Sequence, residues 1–193
     1  MRYRSFAGYV VAAGLLAFSV ACSREMPSAP TPPVAPAPNA SLLGLSFLTN
    51  GLLRTTPLAS DVTVRGTLGT AGGTVSIPSL GITLTVPAGA VSAPTTFAIT
   101  AKAGPIVAYE FEPHGTTFNV PLTFTQSLRG TNYGLLGVLS PLKVAYFADA
   151  SQLNEKDGTA WVNELLPSVV SVLTMKVTAN IKHFSGYMVS SGE

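Results

Sequence analysis

The sequence predicts an all-β fold, an antiparallel sandwich, on three observations. Short runs alternate apolar and polar residues with period two, the pattern of a strand with one buried and one solvated face. Turn formers punctuate almost every run. Val, Ile, Thr, Phe and Tyr recur through a chain that is 47% hydrophobic and only 10% charged, a composition that packs a core and favours strands.

The strands follow in order. In Thr74 to Ile77, Val75 and Ile77 take one face and Thr74 and Ser76 the other. Ile82, Leu84 and Val86 alternate with Thr83 and Thr85, and Phe97, Ile99 and Ala101 alternate with Thr96, Thr100 and Lys102. Val107, Tyr109 and Phe111 oppose Ala108, Glu110 and Glu112. Phe118, Val120, Leu122 and Phe124 oppose Asn119, Pro121, Thr123 and Thr125. The separators are Gly72-Gly73, Ser79 to Gly81, Pro87-Ala88-Gly89, Gly104-Pro105 and Pro113-His114-Gly115. Val144 to Phe147 and Met175 to Ile181 add further strands. Ser127 to Pro141, with Gly130, Gly134 and Gly137, reads as a long loop with room for one helical turn. Short strands so punctuated make a sandwich or barrel.

Four segments divide the chain. Residues 1–21 read as an export signal: Arg2 and Arg4 supply the positive end, and Phe6 to Ala21 is an uncharged, mostly apolar run, short for a spanning helix. Ser19-Val20-Ala21-Cys22 resembles the lipobox of bacterial lipoproteins, with Ser19 where a Leu-like residue usually stands. That resemblance implies lipidation of Cys22 and a membrane partner reached through the lipid anchor. The alternatives are ordinary secretion, cut at the same bond, and an uncleaved membrane anchor. Residues 22–41 form a linker with six prolines between Ser23 and Ser41, which cannot bury a core and favours polyproline II. Residues 42–60 are an apolar lead-in, readable as a helix or an irregular cover, and residues 61–193 form the sandwich domain.

Charge and sulfur exclude several classes. The formal charge is +2. Without Arg2 and Arg4, nine cations face nine acids, so no cationic field exists for nucleic acid. The single cysteine excludes an internal disulfide framework and a Cys-rich metal site. No phosphate loop, Ser-His-Asp order or dinucleotide fingerprint appears, so no cofactor, metal or small-molecule substrate is expected.

Three separated motifs point to a family. Gly72-Gly73-Thr74-Val75 through Val86-Pro87-Ala88-Gly89-Ala90, then Pro113-His114-Gly115-Thr116-Thr117-Phe118 with Val120-Pro121-Leu122, then Trp161 and His183-Phe184-Ser185-Gly186-Tyr187 resemble the ZU-five domain. That family is named for zonula occludens and the uncoordinated-five netrin receptors and occurs also in ankyrins. The resemblance covers roughly Gly66 to Ser190. It implies a β-sandwich used for protein interaction or mechanical linkage, with no substrate and no catalytic turnover. The combined expectation is a lipoprotein of the bacterial cell envelope, on the outer membrane or cell surface, presenting this module to an unidentified envelope protein.

One constellation has reactive potential. In some relatives of that domain a His-Phe-Ser triplet cuts its own backbone. By analogy, Ser185 Oγ attacks the Phe184 carbonyl while His183 accepts the proton. This self-processing reading, with His183, Phe184 and Ser185 as its residues, stands as the alternative to a plain final strand. The inward phase of Leu173, Met175, Val177, Ala179 and Ile181, if continued, buries His183 and Ser185 and exposes Phe184; a β-bulge between Ile181 and Phe184 is expected to restore Phe184 to the core.

Weaker candidates read as structure first. Glu110 and Glu112 share a strand face and suggest a carboxylate pair less than a solvated surface. Asp149, Glu155 and Asp157 fit a polar hairpin better than a calcium loop. His114 reads as a turn residue. Trp161 reads as a core anchor, with an exposed platform for sugar or protein as the other option; carbohydrate binding on that platform is the second alternative function.

Overall fold

A computed structural model describes residues 46–136 and 141–191. The segment expected as a signal peptide, Cys22, the Pro-rich segment and residues 42–45 of the lead-in lie outside the described residues, as does Gly137. The described chain is nearly all strand: β1 (Phe47–Asn50), β2 (Leu53–Leu58), β3 (Val62–Leu68), β4 (Gly73–Ile77), β5 (Ile82–Val86), β6 (Thr95–Ala101), β7 (Gly104–Ile106) and β8 (Ala108–Glu112). They continue with β9 (Thr117–Ser127), β10 (Lys143–Phe147), β11 (Leu153–Asn154), β12 (Thr159–Val162), β13 (Glu164–Leu166), β14 (Ser168–Ser171), β15 (Lys176–His183) and β16 (Gly186–Ser190). One helical turn, Tyr133–Leu136, sits in the long loop after β9, where the glycine spacing leaves room for it.

Two antiparallel sheets close on each other. One has six strands in the order β13-β10-β16-β8-β6-β3, the other five in the order β14-β15-β9-β5-β4. Between them lie the residues that the alternation selects: Val75, Ile77, Ile82, Leu84, Val86, Phe97, Ile99, Tyr109, Phe111, Phe118, Leu122 and Phe124 are all buried. The opposite phase of the five-stranded sheet faces outward as rows of Thr and Ser, such as Thr83 against Thr125 and Thr125 against Thr178. With no disulfide available to this core, burial at about 25 cal/mol per Å² of apolar surface carries its stability.

The six-stranded sheet departs from the one-wet-face expectation. Its central strands β8, β10 and β16 bury both faces, because a three-stranded sheet, β1-β12-β11, covers their outer side. Ile106, Ala108, Ala145, Phe147, Ala160, Val162 and Met188 form this second cluster. The lead-in thus contributes strands rather than a helix or an irregular cover: β1 pairs with β12, and β2 pairs with β7. Gly104-Pro105, expected as a turn, opens β7 instead, with Gly104 at a φ of +85°.

The expected irregularity before Phe184 is present, with its surplus on the other strand. Ile181 pairs with Leu122 and His183 with Thr117, so two steps along β15 match five along β9. Pro121 lies inside that stretch and has no N–H to give the ladder. Phe184 is buried because β15 ends at His183 and the chain crosses from one sheet to the other before β16.

Candidate functional site

The crossing at Phe184 meets a second crossing. β8 belongs to the six-stranded sheet and β9 to the five-stranded one, so Pro113 to Thr116 also pass between sheets. The two links are bonded to each other. Phe184 N–H donates to the Thr116 carbonyl at 2.8 Å, Gly115 N–H donates to the Phe184 carbonyl at 3.1 Å, and Phe111 N–H donates to the Ser185 carbonyl at 3.0 Å. Phe184 fills the corner from within. Its ring lies edge-on to Phe118 at 4.8 Å and Phe97 at 5.4 Å and is stacked on Phe111 at 5.6 Å.

The fold brings His183, Phe184 and Ser185 into this corner without joining base to nucleophile. The Tyr187 hydroxyl donates to the His183 carbonyl at 2.8 Å and lies 3.1 Å from Nδ1 of the same residue. The His183 imidazole also stands edge-on to Tyr146 at 4.9 Å. Ser185 Oγ donates instead to the Phe147 carbonyl at 3.3 Å. No hydrogen bond links His183 to Ser185 among the described residues. Neither Phe184 nor Ser185 has a left-handed backbone. Of the parts an N-to-O acyl shift uses, a donor to the Phe184 carbonyl is in place, and a base hydrogen-bonded to Ser185 Oγ is not found among the described residues. Burial lowers the His183 pKa below the ordinary 6.5, against the opposing charge of Glu164, and burial raises that of Tyr187. His183 is thus held neutral beside an aromatic wall.

The weaker candidates divide by use. Glu110 meets Lys102 at 3.0 Å, and Lys102 also meets Asp61 at 2.7 Å, which holds the Asp61 carboxyl below the usual carboxylate range. Glu112 pairs with Arg65 at 3.8 Å. Asp149 caps a short 3-10 turn, Ala150–Gln152: its carboxylate accepts from Ser151 N–H, and Gln152 Oε1 accepts from Asp149 N–H. Asp157 Oδ2 accepts from Asn154 Nδ2 at 2.9 Å. His114 is exposed in its turn.

Trp161 corrects the core-anchor reading. It is 50% exposed, while its neighbours Ala160 and Val162 are buried. The register of β12 decides this, since alternate residues take opposite faces and the second cluster admits Ala160 and Val162. Across the strand, Trp161 pairs with Leu48, which is 54% exposed, and Phe47 lies at the same edge.

Arg54 was not singled out by any pattern. It is buried, and its Nη1 donates to the carbonyls of Lys102, Gly104 and Ile106 while the guanidinium lies 5.8 Å from the centre of the Tyr109 ring. Desolvation lowers its pKa, with Tyr109 opposing, and pushes that of Tyr109 up to about 12. The Tyr109 hydroxyl donates to Gln126 Oε1 at 2.6 Å. Arg54 and Gln126 lie in a cleft of about 500 Å³ whose lining also includes Leu80, Ser127 and Arg129 and contains no acid. The one trace it leaves in the sequence is that Arg54, after Leu52-Leu53, is the sole charged residue between Ser41 and Ser60.

Compared with family models and with curated proteins, the chain has no match.

Proposed function

We propose that the chain is an envelope lipoprotein, anchored through Cys22, whose ZU-five-like sandwich serves as an interaction or scaffold module without catalytic turnover. The observation that carries the interaction role is the Leu48–Trp161 pair. It is an aromatic and an aliphatic side chain side by side on the outer face of the small sheet, both about half exposed, with Phe47 next to them on β1. Aromatic anchors of this kind dominate protein interfaces. The motifs that carry the family resemblance support a scaffold rather than a chemical role, because both sheet crossings belong to them and lock each other.

Three measurements test the parts separately. Radioactive palmitate is expected to label the wild-type chain and not Cys22→Ala; label on the variant defeats the anchor. A photocrosslinker at Leu48 is expected to give a discrete adduct in intact envelopes that Trp161→Ala abolishes, whereas an unchanged pattern removes the interface. Intact mass is expected to run through Glu193; a product ending at Phe184 would support the self-processing alternative.

The exposure of Trp161 also favours a second reading, a carbohydrate platform. Trp161 is the sole tryptophan, so its emission reports directly. A shift on adding envelope polysaccharide supports that reading, and an unchanged spectrum excludes it. The burial of Tyr187 weighs against an extended aromatic platform.

A further inference from the structure

The hairpin between β14 and β15 violates turn chemistry. Ser171 pairs with Lys176, leaving Val172-Leu173-Thr174-Met175 as the loop. Such loops draw Gly, Asn or Asp, above all where φ is positive. Here Met175 holds the positive φ, +52°. Met175 N–H donates to the Val172 carbonyl and Thr174 N–H to Ser171 Oγ, both at 3.3 Å, so the loop is defined. Met175 packs on the core, while Leu173 is 97% and Val172 64% exposed, with Val169 on the adjoining edge strand at 72%. Single exposed apolar residues need no explanation, but a group of them at the tip of an ordered turn does.

Cations flank the tip. Leu128 N–H donates to the Met175 carbonyl at 2.8 Å, which sets Arg129 beside the turn, and Lys176 stands at its base. The loops that meet at this end of the five-stranded sheet, residues 78–81, 127–131 and 171–176, contain Arg129 and Lys176 and no Asp or Glu. Neither cation is in an ion pair among the described residues. Arg129 also lines the acid-free cleft over Arg54. The acids Asp61 and Glu110 belong to the flank of the other sheet and are matched to Lys102.

We propose that this end of the five-stranded sheet seats on an anionic lipid surface. Leu173 and Val172 enter the boundary between headgroups and acyl chains, and Arg129 and Lys176 meet the lipid phosphates. Apolar insertion and attraction to anionic lipid act together in interfacial binding, and each cation near such a surface strengthens it about fivefold. The contact needs no lipid on Cys22; it specifies which end of the domain faces a bilayer.

The test uses the full chain with Cys22→Ser, so that one introduced thiol carries an environment-sensitive fluorophore. The probe is placed on Leu173→Cys at the tip or on His114→Cys at the opposite end. Vesicles are phosphatidylcholine alone or with one third phosphatidylglycerol. The tip probe is expected to shift to the blue and brighten several-fold with anionic vesicles, while the probe at residue 114 keeps its aqueous emission. Arg129→Gln with Lys176→Gln is expected to raise the lipid concentration at half-effect more than about tenfold. A tip probe that stays aqueous, equal shifts at both positions, or a lipid dependence untouched by the charge removal each overturns the proposal.

Discussion

The two ends of the five-stranded sheet are built on opposite terms. At one end, the links Pro113 to Thr116 and Phe184 to Ser185 exchange backbone hydrogen bonds around a ring that touches three other phenylalanines. At the other, the β14–β15 turn holds Leu173 almost wholly in solvent beside two cations without ion pairs among the described residues. Both ends contain apolar residues where a turn would ordinarily be polar. At the first they complete the core; at the second Met175 packs on it while Val172 and Leu173 stay in solvent. The same residue type therefore carries stability at one end and is free to carry recognition at the other.

Substitutions should separate the ends by size of effect. Phe184→Ala removes the ring at the centre of the crossing and is expected to cost about 3–5 kcal/mol in denaturant unfolding. A loss below about 1 kcal/mol would show that the corner is no keystone. Gly186→Ala is expected to cost about 1–3 kcal/mol or more, because a Cβ there collides with the Phe147 ring in the second cluster. Thermal unfolding of the variant reads it. Tyr187→Phe loses the donor to the His183 carbonyl, with an expected cost of about 1–2 kcal/mol. Leu173→Ser should change stability by less than about 0.5 kcal/mol, since nothing covers the side chain.

Acidity sharpens the same contrast. The folded pKa of His183 is depressed, so the unfolded chain binds the proton more readily. The stability that neutral His183 supports is full above pH 6.5 and is lost as pH falls through 6.5 toward the lower folded value. Unfolding midpoints between pH 8 and 5 should therefore decline for the wild type and flatten for His183→Gln, whose corner has no proton to gain. An identical decline in both would place the titration elsewhere.

Most of the core was legible in the primary structure. Runs such as Ile82-Thr83-Leu84-Thr85-Val86 announce their buried face because a strand turns alternate side chains to opposite sides. The turn at Pro87-Ala88-Gly89 and the helical turn in the long loop were legible for the same local reason. Trp161 was not. Its strand has two small buried neighbours, and only pairing with β1 shows which face the second cluster occupies. The lead-in escaped as well, since its partners lie far along the chain: Leu53 pairs with Ile106 and Phe47 with Val162. Arg54 was invisible because its acceptors are carbonyls of a segment some fifty residues away.

Alternation and turn residues, both local properties of a few neighbouring side chains, were enough to determine an antiparallel sandwich and the members of its main core. Which strand covers which sheet, where the chain crosses between sheets, and which way Trp161, Arg54 and Leu173 face were decided only in three dimensions. Those outcomes depend on pairings between distant segments, whose register sets burial and which no short-range pattern encodes.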